Sequence, residues 1–374
     1  MQFKNSKYNN LVFLCGARDF HAMDWYRRSL DQISNVNIYI LTDLIEGEKY
    51  KKLINSKDKV FKLIILDNFL LRDQSSFGHF WRRLIKIIVF PFQILLIKKF
   101  EKDYPNSIFY AHAMYYIWLA KFAGVKFVGR PQGNDILTNP FKSKVYKFLS
   151  ISSMKSAKAI IVDSFLMAES IKKITSNVKI KVITNGIDLS LIQKIRDTQD
   201  KSERKNIISI RGFNDNYRIK EILASRSFSK ETSSIPIHLI YPFYDKTYKN
   251  DLKDLLIASD IDVSRLDKKN LYQTLFKCKL VISIPRNDSS PRSVYEAIFC
   301  GCIVAIAYNS YYEFLPSSIK SRVIIVDINK KDWFYHAINK AEYLINKPFK
   351  PCSKALQVFD QDRTFKEMAG VLLN

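Results

Sequence analysis

Short apolar runs separated by stretches of helical spacing limit this chain's fold more than any other feature of its sequence. In the first half they fall at 11–15, 37–41, 62–66, 108–111, 126–129, 159–162 and 181–183. Each is too short for a helix and rich in β-branched and aromatic residues, which favours strands. Strands alternating with helices predict a parallel, doubly wound α/β sheet. A charged, apolar-poor stretch over 193–206 reads as a linker, and a second series follows at 206–210, 237–240, 280–284, 303–307 and 323–326. With 374 residues the chain is too long for one typical core. Two Rossmann-like domains are expected, at 1–190 and 204–350, with a helical tail over 355–374. In that tail Leu356, Phe359, Phe365, Met368 and Leu372 occupy plausible inward positions.

The formal net charge of +24 points to an anionic partner, and a nucleic acid is the weakest choice because no binding motif accompanies the charge. Phosphorylated substrates and an acidic membrane surface remain. Five cysteines without framework spacing read as small buried side chains in a reducing compartment. The apolar run at 11–15 is too short for a signal segment, so a cytoplasmic protein is expected.

The most informative segment runs from 280 to 307. An apolar run leads through a polar loop to Ser290-Pro291, a helix follows, and Gly301 closes it before the next apolar run. Ser290 suits an N-cap and Pro291 the first helical position. The amides of Arg292, Ser293 and Val294 are then expected to face outward and to attract a phosphate. Asp288 and Glu296 bracket this helix start. An anion seat flanked by carboxylates that accept from hydroxyls suits a sugar nucleotide.

This segment resembles the nucleotide-sugar motif of retaining glycosyltransferases of the GT-B fold, especially family 4. There, two glutamates eight positions apart precede an Ala-x-x-x-Gly-x-Pro-Val run; here Asp288 replaces the first and Glu296 is the second, followed by Ala297, Gly301, Cys302, Ile303 and Val304. The resemblance implies Glu296 on the ribose hydroxyls, Asp288 at the donor sugar, and two domains facing each other across a cleft. It further implies a last helix that crosses back onto the first domain, and retention of anomeric configuration.

Other candidates join this pattern. Gly16 follows the first strand and is similar to the glycine that lines the family's donor phosphates, with Arg18, Asp19, His21 and Asp24 beside it as polar groups for an acceptor. His112 ends the strand at 108–111 and matches the family's strand-ending histidine near the transferred sugar. Asp135, in Arg130-Pro-Gln-Gly-Asn-Asp, either binds acceptor or caps a helix. Arg211 ends the first strand of the second domain. The family's lysine five positions later is Asn216 here, so Arg218, with Lys220 behind it, supplies the displaced charge to the diphosphate. Asp260-Ile-Asp262 reads as a surface turn, and no metal is expected.

Residues 77–102 carry an uncharged core at 87–97 that is too short to span a bilayer. Arg82, Arg83, Lys86, Lys98, Lys99 and Lys102 flank it, and Pro91 interrupts it. A core helix and an anchor to an anionic membrane surface are both consistent with this pattern. The expected protein is a metal-independent glycosyltransferase without a cofactor. It would use a nucleotide-diphosphate sugar as donor and a saccharide or polyprenyl-linked acceptor, docked on the inner face of the plasma membrane. The alternatives are a saccharide-binding protein of degenerate site and a sugar-nucleotide epimerase.

Overall fold

In the computed structural model, residues 6–17, 19–45, 58–66, 76–198, 203–286 and 288–374 are described. The chain forms two compact units, Met1–Ile183 with Phe365–Asn374, and Thr184–Thr364.

The first unit runs β1 (Asn10–Leu14), α1 (Phe20–Gln32), β2 (Asn37–Thr42), β3 (Val60–Lys62), α2 (Ser76–Asp103), β4 (Ser107–His112), α3 (Met114–Ala123) and β5 (Phe127–Arg130). It continues with α4 (Gly133–Leu137), α5 (Asn139–Lys142), α6 (Lys144–Ser156), β6 (Ala159–Val162), α7 (Phe165–Ile174) and β7 (Ile180–Val182). All strands are parallel, in the order β3-β2-β1-β4-β5-β6-β7. Every residue of β1 is buried, so its sequence is apolar on both faces rather than alternating. One face packs Val12, Leu14 and Phe109 against Ile117 and Ala120 of α3 and Ile97 and Phe100 of α2. The other packs Leu11, Phe13 and Tyr110 against Met23 and Tyr26 of α1, and against Phe365, Met368 and Leu372.

The second unit runs α8 (Leu189–Thr198), β8 (Asn206–Ser209), α9 (Ile219–Phe228), β9 (Ile237–Tyr241), α10 (Lys246–Asp251), β10 (Ile261–Ser264), α11 (Lys268–Phe276) and β11 (Cys278–Ser283). It continues with α12 (Arg292–Phe299), β12 (Ile303–Ala307), α13 (Ser317–Lys320), β13 (Val323–Val326), α14 (Trp333–Ile345), α15 (Ser353–Phe359) and α16 (Gln361–Leu373), the last belonging to the first unit from Phe365 onward. Its parallel order is β10-β9-β8-β11-β12-β13. Each sheet therefore reverses its strand order once, between β1 and β4 and between β8 and β11. The carboxyl ends of strands at such a reversal form the natural ligand crevice of an open α/β sheet.

Several expectations change. Asp260-Ile-Asp262 is no surface turn: Ile261 begins the edge strand β10, and Asp260 is buried in two bonds from Arg226, at 2.5 and 2.7 Å. An edge strand with its side chains largely exposed carries no apolar run to announce it. The run at 62–66 mostly follows its strand, since β3 ends at Lys62 while Leu63 and Leu66 are buried beyond it. The stretch at 193–206 is not all linker, because Ile192 and Ile195 hold α8 in the second core. The tail breaks at Asp360 into two helices, and Leu356 is exposed while Phe359 packs in the second unit.

Candidate functional site

The second unit places Arg211 just after β8 and Asp288 beyond the end of β11, on neighbouring strands at the reversal. The Arg211 guanidinium reaches across, donating from Nη2 to Asp288 Oδ2 at 2.5 Å and from Nη1 to Ser293 Oγ at 2.9 Å. Its plane lies over the Tyr217 ring, 4.7 Å from the centroid. The arginine Nε is buried and has no hydrogen-bond partner among the described residues. The hydroxyls of Ser209 and Ser283, the last residues of β8 and β11, are buried and also without partners among the described residues. Polar atoms left this way are completed by a ligand or ordered water.

Asp288 does more than bracket the helix. Its Oδ1 accepts from the amides of Ser289 and Ser290, at 2.8 and 3.3 Å. That turn pins the chain, so α12 begins at Arg292 with Pro291 as its N-cap, one residue later than expected, and Ser290 makes no cap. The Val294 amide donates to the Pro291 carbonyl at 2.9 Å and its side chain is core. It therefore offers nothing outward, contrary to expectation. Arg292 and Ser293 hold the first-turn amides, which have no acceptor within a helix.

Glu296 is buried one turn on. It accepts a hydrogen bond from the Tyr272 hydroxyl at 2.9 Å, and Arg292 Nε lies 3.4 Å from the same oxygen. Burial, and then the carboxylate it bonds, push the Tyr272 phenol well above its ordinary range, so it stays a donor to Glu296. Tyr311 is raised likewise by burial and by Asp288, with Arg211 opposing.

Arg218 is not drawn into this group. It sits in the left-handed region at φ 52, capping α9, and among the described residues its guanidinium makes no hydrogen bond or ion pair. A non-glycine in that conformation costs about 1 kcal/mol or more. Lys220 is exposed, and its amide donates to the Tyr248 hydroxyl. Gly301, at φ 92, ends α12 as the sequence suggested.

At the β1/β4 reversal the first unit builds a different cluster. Asp19 caps α1, its Oδ1 accepting from the amides of His21 and Ala22 at 2.9 and 3.1 Å. Its Oδ2 lies 3.4 Å from His112 Nε2 and accepts from Gln132 Nε2 at 2.5 Å. Burial raises the Asp19 carboxyl, but His112, the Ala22 amide and His21 together outweigh it and hold the group well below the usual carboxylate range. His112 itself is buried, with Nδ1 3.4 Å from the Tyr110 hydroxyl. His21 and Asp24 share α1 with this cap, both partly exposed. Gly16 lies against Leu44 and Tyr116. Arg18 lies outside the described residues.

Asp135, the remaining acceptor candidate, is spent on structure. Its carboxylate accepts from the amides of Met114 and Gln132, both at 2.9 Å, and from the Tyr146 hydroxyl at 3.0 Å. Ala113, at φ 76, provides no side-chain cap for α3, so Asp135 supplies it from a neighbouring turn. Tyr217, Tyr272, Gln132 and the Ser293 hydroxyl join these sites without having been singled out from sequence. Ser293 and Gln132 lie inside quoted segments, where only the Ser293 amide and Asp135 stood out, whereas Tyr217 and Tyr272 lie outside any motif and carried no signal.

Among the described residues, no group of three or more His, Cys, Asp and Glu side chains is placed to hold a metal ion. No protein-family model matches the chain, and no curated protein matches its sequence. Solved structures do match over nearly the whole length. The Anabaena protein HepE, in complex with UDP and glucose, is 15% identical with a TM-score of 0.69, covering 98% of this chain and 99% of its own. A glycosyltransferase from Rickettsia africae is 15% identical at a TM-score of 0.68, covering 98% of both chains. A putative UDP-N-acetylglucosamine 2-epimerase from Listeria monocytogenes is 10% identical at 0.58, covering 97% of this chain and 95% of its own. The fold is that of the GT-B glycosyltransferases, two α/β units each built on a parallel sheet.

Proposed function

We propose that the chain moves a sugar from a nucleotide-diphosphate sugar to a saccharide or lipid-linked saccharide acceptor, in surface polysaccharide or glycolipid synthesis at the cytoplasmic face of a membrane. One observation carries this reading: Arg211, the Ser293 hydroxyl and the first turn of α12 converge at the β8/β11 reversal. That is an anion seat with a buried carboxylate, Glu296, one turn away for the ribose hydroxyls. HepE, which shares the fold, binds UDP and UDP-glucose.

During transfer the bond from the sugar C1 to the diphosphate oxygen breaks, the acceptor oxygen bonds C1, and its proton passes to the departing diphosphate. Negative charge on the departing diphosphate is then greatest, and a fixed guanidinium with first-turn amides stabilises that stage most. The diphosphate competes with Asp288 for Arg211, which frees the Asp288 carboxylate for a hydroxyl of the donor sugar. Arg211 supplies the charge that a metal ion would otherwise bring, so transfer is metal-independent. The Asp19, His112 and Gln132 cluster, with His21 and Asp24 nearby, offers acceptors and donors for a saccharide. Retention is tested by the product anomer in NMR spectra.

The membrane part rests on α2. Gln93, Ile97 and Phe100 of this helix are buried, whereas Ile87, Ile88, Phe92, Leu95 and Leu96 are exposed. No helix of the described residues is long and apolar enough to cross a membrane. An apolar face ending in Lys98, Lys99 and Lys102 suits the headgroup region of an anionic leaflet.

A panel of sugar nucleotides tests the reading. One of them is expected to raise the melting temperature by mass action and to be consumed when an acceptor is present. If none does either, the reading fails. Protection without turnover would favour a saccharide-binding protein, an alternative that the Arg211–Asp288 ion pair supports.

A further inference from the structure

Beyond α3 from α2, the first unit shows a second apolar face that the described residues leave uncovered. Phe141, at the end of α5, is 60% exposed, and Val145 and Phe148 of α6 are 70% and 71% exposed. Val145 and Phe148, three residues apart, share one face of α6, while Phe141 precedes them across the extended Ser143 that joins α5 to α6. The opposite side is anchored. Tyr146 packs edge-on to Trp118 of α3 at 5.1 Å and donates to Asp135, while Ser150 and Met154 are buried. Ser143 caps α6, accepting from the Tyr146 amide at 3.2 Å. Three large apolar side chains are thus held outward by a fixed scaffold.

Charge decides what covers them. Helices α5 and α6 carry Lys142, Lys144, Lys147 and Lys155 and no acid, while Lys158, just beyond them, is turned to the Leu372 carbonyl and the Tyr8 ring. Protein interface cores are depleted in lysine, whereas an anionic leaflet takes lysines at its headgroups and apolar side chains below them. The face also continues toward α2. Helix α3 lies between them, with Lys121 bonded to Ser152 of α6 and the half-exposed Phe122 5.7 Å from Phe90 of α2.

We propose that the α5–α6 corner is a second lipid-contacting surface that enters an anionic bilayer together with α2. The proposal rests on the membrane reading of α2 given above. It makes attachment two-pronged, which fixes the rotation of the first unit about the α2 axis as well as its distance from the lipid.

Co-sedimentation of the full chain with phosphatidylglycerol-containing vesicles at low salt tests it. The wild type is compared with F141S/F148S, I88S/L95S and the combined variant; all four substituted residues are exposed, so unchanged thermal unfolding confirms each fold. F141S/F148S is expected to weaken partitioning about tenfold, I88S/L95S by a similar factor, and the combination to abolish it. If F141S/F148S sediments like the wild type while I88S/L95S is weakened, this inference falls and the reading of α2 stands. A wild type that ignores the vesicles sinks both. If F141S/F148S instead dissolves a dimer seen by sedimentation velocity without lipid, the face belongs to a second copy and the proposal is overturned.

Discussion

The two strand-order reversals use the same architecture for opposite chemistry. Each brings together a residue from the loop after its first strand and one from the end of the neighbouring strand or the loop that follows it: Asp19 with His112, and Arg211 with Asp288. In the first unit the carboxylate comes from the first loop, caps a helix and draws a histidine and a glutamine to itself. In the second, the first loop contributes the cation and the neighbouring loop the acid, beside a helix start. One edge offers carboxylate and amide oxygens to hydroxyl donors, the other offers guanidinium and amide N–H groups to an anion. The difference teaches that a shared strand order fixes where a ligand can sit, while the sign of one side chain decides what it is.

The sharpest way to break this contrast is Arg211→Ala. If the second reversal is the anion seat, kcat/KM for the donor is expected to fall by about a thousandfold, and nucleotide protection against thermal unfolding to vanish. His112→Ala is expected to leave that protection intact and to lower turnover about tenfold to a hundredfold, through acceptor handling. Equal loss of nucleotide protection in both variants would erase the division of labour. A smaller change sharpens it further. Glu296→Gln keeps the shape and the Tyr272 bond but weakens the carboxylate that holds ribose. Its KM for donor is expected to rise about tenfold or more, while Tyr272→Phe, which leaves the charge in place, raises it only severalfold.

How far the sequence showed all this depends on how local each signal is. The strand–loop–helix–strand unit around Glu296 was legible because its apolar runs, loop, proline and glycine lie within one short stretch. Most strands were legible for the same reason. Strand β10 was not, because an edge strand buries too little to write an apolar run. The Arg211–Asp288 pair was readable only as two separate charges, since their meeting depends on β8 and β11 being neighbours. Asp135 illustrates the reverse. Its type and place in a polar loop fitted a ligand or a cap equally, and only the unfilled amide at Met114 decides for the cap.

The Asp19 cluster makes a prediction about stability. Its folded carboxyl is held below its ordinary range, so the ionised form is bound more tightly in the native state than in the unfolded chain. The stabilisation is fully present above the unfolded value of about 4 and is lost as pH falls through the lower folded value. Asp19→Asn is therefore expected to lower the stability of the first unit by about 2 kcal/mol at neutral pH. The gap should narrow as the pH drops below about 4. Urea titrations at pH 7 and pH 3 check this, and a gap that widens in acid would contradict the sign.

The smallest effects separate the two reversals most finely, because each first loop carries a glycine shortly after its strand. A Cβ on Gly16 would stand 2.9 Å from both Leu44 Cδ1 and the Tyr116 hydroxyl, which is bonded to the buried Asp43 rather than to Asp19 or His112. A Cβ on Gly212 would stand 2.4 Å and 2.5 Å from the Phe243 ring and 2.8 Å from the Tyr217 ring, the aromatic floor beneath Arg211. Overpacking of this kind typically costs about 1–3 kcal/mol. Gly16→Ala is expected to lower the melting temperature and leave donor KM unchanged. Gly212→Ala is expected to lower it too, but also to raise donor KM severalfold, since Tyr217 must tilt and carry the guanidinium with it. If both variants lose stability alone, Tyr217 is a packing residue and the floor it gives Arg211 has no part in holding the anion.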